Sequence, residues 1–184
     1  MYLKKILLTL LLFTVSVHAV YADETIKAEN NAYRHNNIGL MYLDEKYYFG
    51  AIKEFQIAID LLPDKQASAA FYVNLGRTYE KIGYDNLAQK CFERAVSLNI
   101  LCFDYYLILA ENYKKQELCD EKISEFQNKT PSPLNDIMIG LLYIQKGQVG
   151  TGMTVLDEFC NKEPNLIITF GVRKYLDKIA EEKI

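Results

Sequence analysis

The stretch NLGRTYEKIGYDNLAQKCFERA, residues 74–95, decides the fold of this chain. Gly76 and Ala88 are small and lie in two segments without proline, on either side of a glycine-containing turn. Tyr79 and Phe92 are large and follow these small residues by about one helical turn. Small residues let two helices approach closely, and large neighbours fill the space around that contact. The stretch therefore predicts a hairpin of two closely packed α-helices.

The same pattern occurs again along the chain. An earlier copy repeats nearly every position, with Ile38, Gly39, Tyr42, Ala51, Phe55, Ala58 and Pro63. A third copy is weaker, because Lys122 and Lys129 stand where small residues are expected. A fourth copy has Ile139, Gly140, Tyr143, Gly152, Leu156, Phe159 and Pro164. Repetition of one pattern at steps of 30 to 37 residues indicates a stack of helical hairpins.

These positions give a map of the helices. We expect the first helix of each pair near 29–43, 68–82, 103–115 and 134–146. We expect the second helices near 48–61, 85–98, 119–128 and 149–161. A last helix near 166–182 lacks the repeat pattern, and we interpret it as a cap on the open face of the stack. Ser132 and Pro133 are typical of a helix start.

The pattern resembles the tetratricopeptide repeat, a helix-turn-helix unit of 34 residues. The resemblance implies an all-α fold, a right-handed superhelical solenoid of antiparallel helix pairs. It places repeats near 32–65, 69–102, 103–132 and 133–166, with a capping helix at 166–184, in a domain of residues 23–184. It also implies that the first helices line a concave face that binds partners. The partner-binding positions carried over in this way are Asn36, Leu40, Val73, Arg77, Leu107, Glu111, Ile137, Leu141 and Ile144.

The character of this face differs along the chain. Some members of the family hold a terminal carboxylate with Lys and Asn at two of these positions, whereas this chain has Asn36 and Leu40 there. In the third and fourth copies an apolar strip is expected, formed by Leu107, Ile137, Leu141 and Ile144. An exposed apolar strip often marks a contact surface. The alternative is that the last helix or a neighbouring copy covers it.

Residues 1–22 predict a secretory signal peptide. Lys4 and Lys5 precede an apolar run over 6–17, and small residues follow, with cleavage after Ala22 expected and after Ala19 as an alternative. The run is short for a membrane-spanning helix, so membrane attachment through an uncleaved segment is the less favoured reading. The expected location is therefore periplasmic or secreted.

Composition argues against several classes of chemistry. A formal net charge of −3 disfavours a nucleic-acid binder. With two histidines and no paired cysteine motif, we expect no catalytic residue, metal site or cofactor. Export would allow disulfides among the four cysteines, but we expect these thiols to pack as small apolar groups. They are Cys91, Cys102, Cys119 and Cys160.

The sequence thus predicts a non-enzymatic, exported scaffold that binds a peptide or protein segment on its concave face. Two alternatives stay open: a self-associating module, with the apolar strip buried in a homodimer, and an accessory subunit of a cell-envelope enzyme or secretion complex. The partner itself is not predicted.

Overall fold

A computed structural model of the chain describes residues 24–181. The predicted signal peptide lies outside the described residues, as does the end of the predicted capping segment. The chain divides into two compact units, Met1–Pro63 and Asp64–Ile184. Residues 24–181 contain nine α-helices and no β-strand, so the predicted all-α class is confirmed.

The described part of the first unit, residues 24–63, forms one helical hairpin. Helix α1 covers 24–44 and helix α2 covers Tyr48–Leu61. Phe55 is fully buried, and a Cβ added to Gly39 would lie 2.6 Å from its ring. His35 is half-buried, and its Nδ1 lies 2.6 Å from Glu54 Oε2, so this residue links the two helices through a polar contact.

The second unit contains seven helices joined by short connections. They are α3 (Ser68–Lys81), α4 (Asp85–Leu98), α5 (Phe103–Lys115), α6 (Cys119–Asn128), α7 (Pro133–Gln145), α8 (Val149–Lys162) and α9 (Ile167–Glu181). Each bound lies within one residue of the predicted map. Ser132 caps α7, its Oγ accepting a hydrogen bond from the backbone N–H of Leu134 at 3.4 Å, and Pro133 opens the helix.

Close packing of the helix pairs follows from the small residues of the repeat. In the α3–α4 pair, a Cβ on Gly76 would lie 2.5 Å from the ring of Phe92. In the α7–α8 pair, a Cβ on Gly140 would lie 2.7 Å from Leu156. Phe92 and Leu156 are both buried in one apolar core that runs through the second unit. The glycines are therefore required by the helix contact, as the repeat pattern predicts.

The third pair departs from this arrangement. Ala110, fully buried, stands where the other copies have glycine. Helix α6 has 10 residues, whereas α4 and α8 have 14. It packs mainly against α7 of the following pair and only slightly against α5. The shortened helix thus belongs as much to the fourth repeat as to the third.

All four hairpin turns use one backbone conformation. The residue two positions before the second helix has a positive φ in each: 61° at Lys46, 80° at Gly83, 61° at Glu117 and 83° at Gly147. The next residue donates its N–H to a carbonyl five residues back, as Tyr84 does to Tyr79 at 2.9 Å. This is the Schellman motif that ends many helices.

The four cysteines are free thiols. Cys91, Cys119 and Cys160 are buried, and burial raises the pKa of Cys91 to about 12. A thiol of such high pKa is a poor nucleophile at neutral pH. None of the helices in residues 24–181 is both long enough and apolar enough to cross a bilayer.

Candidate protein-binding cleft

The predicted binding positions range from exposed to fully buried in the structure. Arg77 on α3 and Glu111 on α5 are exposed, as a ligand-contacting residue must be. Leu107 and Ile144 are half-buried. In the first unit Leu40 is exposed, whereas Asn36 is buried. The remaining three, Val73, Ile137 and Leu141, belong to the apolar core.

The exposed apolar strip predicted from Leu107 to Ile144 is therefore wrong at two of its four residues. Ile137 and Leu141 are fully buried. They share the apolar core with Ile168 and Val172 of α9, which are also almost completely shielded from solvent. Both residues are covered within the chain, where α7 packs against α5, α6 and α8.

Helix α9 is held in place by polar contacts at its start. Thr169 Oγ1 donates a hydrogen bond to the carbonyl of Glu163 at 2.6 Å. One turn later, Arg173 Nη2 donates to the carbonyl of Cys160 at 3.2 Å, at the end of α8. These bonds satisfy carbonyl groups at the C-terminal end of α8, where the helix itself offers no donors. They fix the direction in which α9 leaves the stack.

In that direction α9 reaches α5. A Cβ on Gly171 would lie 2.8 Å from Cβ of Phe103, so the absence of a side chain allows the two helices to meet. One turn further on, the ring of Tyr175 lies 5.5 Å from that of Phe103, centroid to centroid. Aromatic pairs at this separation attract each other beyond the area that they bury. Helix α9 is therefore fastened to α5, two helix pairs back in the chain order.

Between α5 and α9 lies a cleft of about 560 Å³. Its α5 wall carries Asp104, Leu107 and Glu111, and the last two are predicted binding residues. Its α9 wall carries Lys174, Tyr175, Asp177, Lys178 and Glu181, with Phe103 and Gly171 where the walls meet. The repeat pattern thus predicts part of the α5 wall of the cleft, but it gives no indication of the α9 wall.

The α9 residues were missed because α9 lies outside the repeat. The sequence does show a two-sided helix there, with an apolar face and a charged face. That pattern predicts a cap with Ile167 and Phe170 on its apolar face. The structure instead buries Ile168 and Val172 and leaves Ile167 and Phe170 exposed. The sequence gives one signal that α9 also packs against another helix and forms a cleft wall. This signal is Gly171, because a glycine inside a helical segment often marks a close approach of two backbones.

Polar contacts next to the cleft connect neighbouring helices. Glu80 on α3 accepts a hydrogen bond from Asn112 Nδ2 at 2.6 Å. Asn112 is buried in α5, and its Oδ1 accepts from Gln116 Nε2 at 2.7 Å. Buried amides are stable only when bonded in this way. Glu80 thus has a structural partner, which Glu111 lacks.

Metal-binding chemistry has no visible basis in the described part of the chain. Residues 24–181 contain no group of three or more His, Cys, Asp or Glu side chains arranged to hold a metal ion. The ten residues that line the cleft include no Ser, Cys or His. The cleft presents carboxylates, ammonium groups and apolar surface, which suits binding through charge and shape.

A family comparison bears directly on the hairpin described first. Residues 69–99 match the family model described as Tetratricopeptide repeat. This segment is similar to a tetratricopeptide repeat. The matched segment covers α3 and α4, the pair closed by Gly76 against Phe92. The pairs α1–α2 and α7–α8 use the same glycine position, so the repeat character extends beyond the matched tetratricopeptide segment.

Several solved structures are similar to this chain at low sequence identity. A MamA structure shares 24% identity over 77% of this chain and 84% of its own, with a TM-score of 0.48. The pilF protein of Pseudomonas aeruginosa shares 17% over 79% of this chain and 67% of its own, with a TM-score of 0.48. YrrB, described as a TPR protein with an unusual peptide-binding site, shares 19% over 78% and 74%, with a TM-score of 0.45. No curated protein matches the sequence.

Proposed function

We propose that this chain is a protein-interaction scaffold, and that the cleft between α5 and α9 binds a segment of another protein. The observation that carries the proposal is the cleft itself, whose walls combine exposed charges with the half-buried Leu107. Its volume lies within the range of pockets that enclose a ligand. A tetratricopeptide repeat adjoins the cleft, and repeats of this family serve as interaction modules. The accessory-subunit role is one form of such a scaffold.

Site-specific photo-crosslinking in the cells of origin tests this proposal. A photoreactive amino acid placed at Lys174, on the α9 wall, is expected to capture a defined protein. The same residue placed at Lys90, exposed on α4 away from the cleft, is the matched control. A product from position 174 with none from position 90 supports the cleft. Equal products from both positions, or none from position 174, would contradict it.

Self-association is a second candidate, and one observation favours it. Ile167 and Phe170 lie about one helical turn apart on α9, and their side chains are 76% and 77% exposed. Large apolar side chains this exposed are a common feature of contact surfaces. Light scattering over a range of concentrations is expected to show a rising mass for the wild type and a constant mass for Phe170→Ser. A monomer at every concentration would remove this candidate.

We also propose that the protein is exported and acts in the periplasm or outside the cell. The support is the signal-like sequence of residues 1–22, with its basic start, apolar run and small residues before Asp23. N-terminal sequencing of the protein from its native cells is expected to begin at Asp23. A chain beginning at Met1 and recovered with the cytosolic fraction would contradict export.

A further inference from the structure

We infer that the α5–α9 cleft takes a positively charged, extended segment with two basic residues three positions apart and an apolar residue between them. This inference rests on the proposed function and names the chemistry of its partner. It starts from α5, where Asp104, Leu107 and Glu111 lie at positions i, i+3 and i+7 and line the cleft together. Residues at this spacing share one face of a helix. The wall therefore presents two carboxylates with an apolar side chain between them.

The two carboxylates are available to a ligand. Asp104 and Glu111 are exposed, and neither forms a hydrogen bond or ion pair with another of residues 24–181. Other acidic groups nearby are already used, since Glu80 accepts from Asn112. An unpaired carboxylate beside an apolar floor gains most from a cation that arrives with apolar surface attached, as Lys and Arg side chains do.

The α9 wall carries no net charge, so the cleft keeps the negative charge of its α5 wall. Asp177 and Glu181 on α9 add two carboxylates, and Lys174 and Lys178 add two ammonium groups. The four acidic side chains of the lining outnumber the two basic ones. A cleft that carries one sign of charge in excess attracts ligands of the opposite sign and repels others. A basic segment is therefore favoured over an acidic one.

The spacing of the carboxylates sets the spacing of the cations. Seven residues along a helix cover about 10.5 Å. Three residues of a chain in the polyproline II conformation cover about 9 Å and bring side chains back to the same side. Basic residues three positions apart in such a segment can reach Asp104 and Glu111 together. The two residues between them project about 120° to either side, so an apolar residue there packs beside Leu107 rather than over it.

The match in spacing favours an extended ligand. A helix with its side chains has a diameter of about 10 Å, and an extended segment of the same reach has a smaller cross-section. More of such a segment can lie inside the open cleft of about 560 Å³.

Binding of a defined peptide to the full chain tests this chemistry. The probe is a fluorescently labelled hexapeptide, Gly-Lys-Leu-Ser-Lys-Gly, with blocked ends, followed by anisotropy. Two matched peptides carry Glu in place of both Lys, or Ser in place of Leu. We expect the basic peptide to bind and the acidic one to fail. The Ser peptide is expected to bind about tenfold more weakly, because it loses one buried apolar side chain.

Paired variants locate the binding. Asp104→Asn with Glu111→Gln removes both charges without changing side-chain size, and binding is expected to weaken about tenfold. The control is Glu117→Gln with Asp60→Asn, two exposed carboxylates outside the cleft lining, which is expected to bind as the wild type does. Circular dichroism of each variant checks that the helices are intact.

Each result bears on the inference. Equal binding of the basic and acidic peptides, or unchanged binding by the Asp104→Asn, Glu111→Gln variant, would overturn it. If the basic peptide does not bind while position 174 still captures a protein in cells, the proposed cleft stands and its charge preference is wrong. If neither peptide nor protein binds, both proposals fall.

Discussion

In the α3–α4 hairpin the small positions of the second helix are Ala88 and Ala95, both fully buried, and the two helices pack along their length. In the α5–α6 hairpin the same positions are Lys122 and Lys129. Lys122 Nζ lies 5.4 Å from the centre of the Tyr113 ring and 2.7 Å from Glu125 Oε2, and Lys129 lies over the ring of Phe126. Long cationic side chains hold two helices further apart than alanine does, so α6 packs much less closely on α5 than α4 packs on α3.

The difference shows which residues define the helix pair. A shared pattern of large residues is not sufficient, because Tyr113 and Phe126 are both kept in the weaker pair. The small residues decide how closely the second helix approaches the first. Where they are lost, the two helices of the pair separate, while the contact of the second helix with the next pair is kept. The following changes test this interpretation, from the largest expected effect to the smallest.

Truncation of the central aromatic residue gives the largest contrast. Phe92→Ala is expected to destabilise the second unit by about 3–5 kcal/mol, because Phe92 is buried and leaves a cavity. Phe126→Ala should cost clearly less, since Phe126 is only half-buried. Urea unfolding followed by circular dichroism measures both. Equal losses would show that the two pairs are packed alike.

A single methyl group tests the helix contact directly. Gly76→Ala places a Cβ 2.5 Å from the ring of Phe92, which has no room to move, and should cost about 1–3 kcal/mol. Gly150→Ala is the matched control, because a Cβ there meets nothing within 4 Å. It is expected to be neutral or to stabilise the helix by up to about 1 kcal/mol. Thermal unfolding of both variants separates the cost of the steric clash at the helix contact from the gain in helix propensity.

The hairpin turns provide a smaller test. Glu117 holds a φ of 61° in the third turn, where the second turn has Gly83. Glu117→Gly is expected to stabilise the chain by about 0.5–1 kcal/mol, since glycine adopts this conformation without strain. The reverse change, Gly83→Ala, should destabilise by a similar amount. If the Glu117→Gly variant unfolds at a lower temperature than the wild type, the backbone of Glu117 is not strained.

The ion pairs of α6 give the smallest effect. Hydrogen bonds from Lys122 and Lys129 lower the pKa of Glu125 below its usual value of 4.5. A lowered pKa means that its stabilisation is complete above about pH 4.5 and is lost as the pH falls through the folded-state value. Exposed helical pairs contribute about 0.2–0.5 kcal/mol each. Urea midpoints between pH 6 and pH 3 should fall less steeply for Glu125→Gln than for the wild type.

Most of the fold follows from local pattern. The glycine and alanine positions locate each close contact, and the turn glycines and prolines bound the helices, so the helix map is confirmed to within a residue in the second unit. The irregular third pair is also visible in the sequence, because Lys122 and Lys129 break the pattern. These features depend on neighbours within one repeat, which a sequence shows directly.

The binding surface is less well predicted for a physical reason. Whether Ile137 and Leu141 face solvent depends on how α7 packs against α5, α6 and α8, and the second wall of the cleft depends on where α9 packs. Gly171 and Phe103 meet across 68 positions, and no repeat spacing relates them. The positions carried over from the family assume an open face. Here one wall of the cleft comes from a helix that the repeat does not contain.

The contact between Gly171 and Phe103 also affects how the second unit folds. In a simple stack each repeat touches only its neighbours, so folding can begin anywhere and spread. The contact between α9 and α5 joins residues that are far apart in the sequence, which raises the contact order and slows folding. It also couples the C-terminal helix to the middle of the chain, so that the last four hairpin helices and α9 should unfold as one cooperative block rather than fray from the end.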